Sequence, residues 1–232
     1  MSFHKTGAAL ILIITAIVAG CSNRENINHE INYDDLYFDY TISGEEGNEQ
    51  ATCVFQFKHG GDGGKAVNIE PCTVELDGES LETDSAKFSG FYYEVQKPLE
   101  SFAGKHTIVF KTPGNKKYTN EFTFSPFTFE KQMPEKVKRK PFTIQLNNFP
   151  ANEHRVRLLL LDTAFESSGF NDFVPVVKGK VTIDEPILRS VKKGPVVLEF
   201  YLEQEIGLRQ RTPAGGKISI TYGLKKEFEL TD

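Results

Sequence analysis

The chain has 232 residues and carries 27 Lys and Arg against 32 Asp and Glu, a formal charge of −5, with only 3 Cys and no Trp. That balance excludes a basic nucleic-acid binder, a cysteine-rich metal scaffold and a multi-span membrane protein. The 19 Phe and 8 Tyr supply enough apolar surface to drive folding, which argues against a disordered chain.

Residues 1–7 hold one fixed positive charge, Lys5, and residues 8–19 are apolar apart from Thr15. Twelve helical residues rise about 18 Å, short of a hydrocarbon core of roughly 30 Å, so the segment reads as an export signal and not a permanent span. The run Val18-Ala19-Gly20-Cys21 resembles the lipobox of bacterial lipoproteins, with Val18 where the pattern prefers Leu. The resemblance implies diacylglycerol on the Cys21 sulfur, cleavage after Gly20, and often acylation, as by palmitate, of the new amino terminus. Two or more acyl chains hold a domain on a bilayer durably. Ser22 stands where many enteric inner-membrane lipoproteins have Asp, so the outer membrane is the expected location, with either face open. Residues 21–32 are polar and aperiodic, as a lipidated tether should be.

From there, alternation of period two predicts strands. Residues 52–58 align Cys53, Phe55 and Phe57; residues 106–110 align His106, Ile108 and Phe110. Residues 118–124 align Tyr118, Phe122 and Phe124, with Asn120 the exception. Further strands are expected at 36–42, 72–76 and 91–96. Asp77-Gly78, Pro113-Gly114-Asn115 and the glycine-rich 60–64 segment fall between them as turns. Six strands in roughly ninety residues describe a small sandwich, residues 33–130, with immunoglobulin-like topology expected.

Residues 131–141, KQMPEKVKRKP, read as a basic linker. A second strand set follows at 142–146, 155–161, 180–184, 196–202, 217–222 and 224–230, giving a second sandwich over 142–232. The expected fold is therefore all-β, two small immunoglobulin-like β-sandwich domains after a signal peptide (1–20) and short polar tether; one interlocked β domain is the competing arrangement. Residues 33–130 contain 8 basic and 17 acidic residues, residues 131–232 contain 17 and 13, so the halves balance at −9 and +4. Such asymmetry orients a partner, packs one half on the other, or serves solubility.

With Cys21 lipidated, Cys53 and Cys72 remain, and an even pair in an exported chain is a disulfide candidate, two buried thiols being the alternative. No metalloprotease, nucleophile-elbow or phosphate-loop motif occurs, and the histidines are scattered, so no catalytic residue, metal site or cofactor is expected and the chain reads as a non-enzyme. His106 reads as a packed residue. His59 beside the 60–64 glycines reads as a hairpin, with an anion or metal held by His59 and Asp62 as the alternative.

Three surfaces are candidate sites. Residues 162–178 break the strand rhythm for longer than a usual connection and carry Phe165, Phe170 and Phe173, which either dock a partner or fold back over a sheet edge. Tyr92, set opposite Phe91 and Tyr93 by alternation, is a second aromatic candidate. Lys136, Lys138, Arg139 and Lys140 form a candidate anion contact. The expected function is a non-catalytic, membrane-anchored envelope lipoprotein, an assembly or protein-interaction subunit, with surface glycan or ligand binding as the alternative and an envelope hydrolase as a remote one. Its partners would be the bilayer, through Cys21, and an envelope protein or glycan. The tandem arrangement resembles envelope lipoproteins of the Bacteroidota, which implies glycan capture, adhesion or secretion machinery; fold alone does not choose among them.

Overall fold

A computed structural model describes residues 31–86 and 89–232. The signal segment, Cys21 and the tether through residue 30 lie outside the described residues. Among the described residues no helix is long and apolar enough to cross a membrane.

The first half runs through β1 (Leu36–Glu45), β2 (Gln50–His59), β3 (Lys65–Ala66), β4 (Thr73–Leu76), β5 (Glu79–Ser80), β6 (Thr83–Ala86), β7 (Gly90–Pro98), β8 (Gly104–Lys111) and β9 (Lys117–Phe124). The second half contributes β10 (Thr128–Phe129), β11 (Lys136–Lys138), β12 (Phe142–Asn147), β13 (Arg155–Asp162), β14 (Phe170–Pro175), β15 (Lys180–Ile183), a five-residue helix α1 (Glu185–Arg189), β16 (Gly194–Thr212) and β17 (Gly215–Thr231). The chain is all-β apart from short helical turns, with its sheets packed face to face as β-sandwiches.

Alternation decides which side chains enter each core. In the first half Phe38, Tyr40, Phe55 and Phe57 project from β1 and β2 toward Phe110, Tyr118 and Phe124 on the β5-β4-β8-β9 sheet. The Phe57 and Phe110 ring centroids are 4.8 Å apart, and Phe38 and Phe110 are 5.0 Å apart. In the second half Val156, Leu158, Leu160, Leu198 and Phe200 face Ile144, Leu146, Val181 and Ile183 of the β10-β12-β15 sheet. Both cores have the aligned-sandwich pattern of inward apolar and outward polar positions.

One sheet is common to both halves, in the order β14-β13-β16-β17-β1-β2-β7-β6. Its seam is the parallel pairing of β1 with β17, from Phe38 opposite Gly216 to Glu45 opposite Gly223. The β16–β17 hairpin thus starts in the second sandwich and ends over the first. Its tip is tied down by Thr212, whose buried hydroxyl donates to the Leu36 carbonyl at 2.6 Å. Asn120 exchanges two hydrogen bonds with the Gln210 backbone, at 2.8 and 3.1 Å. The break that Asn120 makes in its strand's apolar face is therefore a docking point for the hairpin. Phe127, fully buried, bridges the halves by stacking edge-on against Tyr222 and Phe149.

The strands expected at 217–222 and 224–230 are one continuous strand. Gly223, which suggests a turn in sequence, instead makes room: a Cβ there would sit 2.9 Å from the Tyr201 ring. The even-numbered alternation from Ile218 to Leu230 runs through it, interrupted only by half-buried Lys226.

The expected disulfide is not formed. Cys53 and Cys72 are both buried and free. Alternation correctly points each sulfur into the first core, but it fixes a side and not a height along the strand. Cys53, on β2 opposite Ile42 and Val95, feels Lys97 and Asp77, the residue after β4. Cys72 precedes the other end of β4 and hydrogen-bonds the Tyr33 side chain. Disulfide geometry tolerates Cα separations only up to about 7 Å, a condition that alternation does not test. Burial raises the Cys53 thiol to about 12 and pushes Cys72 up as well, so neither supplies thiolate near neutrality. In peptide-level mass spectrometry, N-ethylmaleimide will leave both cysteines unlabelled in the native protein and label both in guanidinium. Rapid native labelling of either would overturn this placement.

Candidate functional site

The segment 130–141 folds as an arch against the second sandwich. One foot is the Glu130 amide, which donates to the Gln145 carbonyl at 2.9 Å; the other is β11, paired in parallel with the end of β17 from Lys136 opposite Glu229 to Lys138 opposite Thr231. Met133 is buried beneath the arch. Between arch and β12 lies an open groove of about 930 Å³. Its floor is apolar, from Met133, Val137, Phe142 and Ile144, and its walls carry Lys131, Lys136, Lys138, Lys140 and Lys180 against the single carboxylate Glu130.

Alternation within the arch sorts the residues expected to contact anions. Lys136, Lys138 and Lys140 are exposed, whereas Val137 and Arg139 are half-buried on the other side. Lys136 makes a surface ion pair with Glu229 at 3.0 Å, which contributes little in water. Lys131, Lys138, Lys140 and Lys180 make no ion pair among the described residues. Arg139 leaves the groove altogether: its Nη1 donates to the Leu188 and Val191 carbonyls at 2.6 and 3.0 Å, capping the C-terminal end of α1. Arg139→Ala will therefore destabilise the fold by about 1.5–3 kcal/mol in denaturant titration, while Lys138→Ala stays within about 0.5 kcal/mol of wild type. Equal losses for the two would refute this division of labour. Lys180 was not among the residues singled out in sequence, because only the register of β12 with β15, Gln145 opposite Lys180, brings it to the groove.

Tyr92 lies in a second, shallower depression of about 540 Å³ on the outer face of β6 and β7, with Glu82, Asp84, Glu94 and Gln96. Its hydroxyl donates to Asp84 at 3.2 Å, and partial burial together with that carboxylate raises its pKa. Tyr93 turns into the core.

The structure does not gather the three phenylalanines into one surface. Residues 170–175 are the edge strand β14, so the connection is a shorter turn, fixed where Asp162 accepts from the Glu166 amide at 2.9 Å and the Ser167 amide at 3.0 Å. The Ser167 hydroxyl, which donates to the same carboxylate, together with these amides holds the Asp162 carboxyl below its usual range. Phe165 is 77% exposed on that turn. Phe170 and Phe173 are three positions apart on β14 and face opposite sides. The Phe173 ring is flanked by the Arg155 and Arg157 guanidinium groups, 4.3 and 4.4 Å from its centroid. These cation–π contacts order the edge more than they expose a docking ring.

Among the described residues no three His, Cys, Asp or Glu are placed to hold a metal. His106 has both ring nitrogens engaged, Nδ1 with Asp77 at 2.7 Å and Nε2 with the Phe102 carbonyl at 2.8 Å, and stacks on Phe102 at 4.0 Å, so it has no free nitrogen to serve a nucleophile. Asp62 is held by Lys217 at 3.0 Å, which leaves the 60–64 turn as a salt-bridged hairpin.

Fold and surfaces together define a β-sandwich protein with a lysine-walled groove and a shallower depression beside Tyr92. No family model matches the chain and no curated protein does. Solved structures similar to it include DIP-gamma IG1+IG2, 10% identical over 84% of this chain and 95% of that one, with a TM-score of 0.24. The tetra-tandem repeat in the extending region of a large adhesion protein is 9% identical over 84% and 49%, with a TM-score of 0.27. SGBP-B of the Bacteroides ovatus mixed-linkage glucan utilization locus, in complex with a mixed-linkage heptasaccharide, is 12% identical over 83% and 45%, with a TM-score of 0.24. Likenesses this distant carry no argument about function.

Proposed function

We propose that the chain is a lipoprotein of the bacterial envelope, anchored to the outer membrane through acylated Cys21, whose work is to hold an anionic ligand in the lysine-walled groove. The observation that carries this reading is the groove itself: an apolar floor under five lysines, on a protein whose overall charge is −5. Such a local reversal of sign attracts anions and makes their capture salt-dependent. Two anionic probes, fluorescent oligogalacturonate and a fluorescent Glu-rich peptide, test it by equilibrium anisotropy on the full chain in detergent. At least one will bind, and the K136A/K138A/K140A triple variant will bind it about tenfold more weakly, equivalent to 1.4 kcal/mol. Absence of binding by either probe refutes the groove as the ligand site. Anchoring has its own test: Cys21→Ser will abolish metabolic palmitate labelling and move the protein from membrane to soluble fractions.

A second reading, neutral glycan capture, is favoured by the Tyr92 depression, where an aromatic ring stands beside carboxylates and an amide that can accept and donate to sugar hydroxyls. Tyr92→Ala would then abolish retention on a neutral β-glucan column while leaving the anionic probes unaffected.

A further inference from the structure

The groove is bordered by open strand edges. β11 pairs with β17 on one side only. β10 covers β12 opposite Leu146 and Asn147 alone, so Phe142–Ile144 has a strand neighbour, β15, on one side only. Lys136 and Lys138 stand two residues apart on β11, which places their Cα atoms about 6.6–6.8 Å apart, while Lys140 follows on a bend where its amide donates back to the Lys138 carbonyl at 2.7 Å. Carboxylates on alternate residues of an extended peptide recur at the same interval, while the residues between them point the other way, toward the apolar floor. Backbone amides of such a peptide would also satisfy an open edge, which is how strand addition gains affinity. A sugar chain offers no matching ladder of N–H and C=O groups.

We infer that the groove accepts an extended peptide of alternating acidic and apolar residues, added as a strand beside β12 with successive carboxylates on Lys136 and Lys138. This rests on the groove being the ligand site, and the experiment separates the two. The probe is a fluorescein-labelled octapeptide of alternating Glu and Val, titrated into the full chain in detergent. It is compared with a peptide of the same composition in Glu and Val blocks, two versions N-methylated on either odd or even amides, and oligogalacturonate. The alternating peptide is expected to bind best, with the block peptide and one of the two N-methylated peptides at least tenfold weaker. K136A/K138A/K140A will weaken it by a similar factor with an unchanged far-ultraviolet dichroism spectrum. If both N-methylated peptides bind as well as the parent, or if oligogalacturonate alone binds and is lost in the triple variant, strand addition is overturned and the anionic groove stands. If no anionic probe binds, both readings fall.

Discussion

Residues 32–130 produced alone will show no cooperative thermal or denaturant transition, although they contain all of β1 to β10. The reason lies at β1, which has β2 on one side and, on the other, eight residues of β17 from the far end of the chain. Truncation strips that side of β1 of its partner and removes the tip anchored by Thr212 and the Asn120–Gln210 exchange. It also uncovers the core beneath Leu208, which is buried against it. A hydrogen bond is worth about 1 kcal/mol net, so a lost ladder of this length rivals the whole stability of a small domain, about 5–15 kcal/mol. Dichroism melts and amide-proton dispersion in NMR check this. A sigmoidal melt close to that of residues 32–232 would show that the hairpin is an accessory to a self-sufficient first sandwich.

The strand content was legible because buried positions in these antiparallel strands alternate cleanly, as at Cys53, Phe55 and Phe57. The basic segment stood out by composition alone, which grouped Arg139 with Lys136, Lys138 and Lys140; only the hydrogen bonds of Arg139 to Leu188 and Val191 set it apart. What could not be read is anything set by register between distant segments. No local pattern announces that Gly216–Gly223 will lie beside Phe38–Glu45, nor that Lys180 will face the arch. Gly216 shows why local rules mislead there: it is not a turn residue, and a Cβ on it would lie 2.7 Å from the Phe38 carbonyl oxygen. Its absent side chain permits the close approach of two backbones on which the shared sheet depends. The edge strand β14 was missed for a related reason. An edge exposed on much of both faces has no apolar rhythm, and its pattern of one buried residue in six resembles a loop.

Phe38→Ala will destabilise the protein by about 3–5 kcal/mol, the range for emptying a large buried aromatic site. Phe38 is fully buried, and its ring meets Phe57, Phe110 and Tyr118 edge-on at 5.3, 5.0 and 5.3 Å, joining both sheets of the first sandwich. Its backbone carries the first parallel pair with Gly216, so the cavity opens where the hairpin docks, and collapse into it is opposed by the shared sheet. Tyr40, two residues along on the same face, should respond in the opposite sense. Its hydroxyl is buried without a hydrogen-bond partner among the described residues, and burial alone drives its pKa far above the usual tyrosine value. Removing that oxygen in Tyr40→Phe keeps the ring contacts with Phe55 and Phe57 and relieves a desolvated polar atom, so stability should rise by about 1 kcal/mol. Urea titrations of both variants, read at constant m, provide the check. A loss on Tyr40→Phe comparable to that on Phe38→Ala would mean that the hydroxyl is satisfied in solution and that the first core is organised around it.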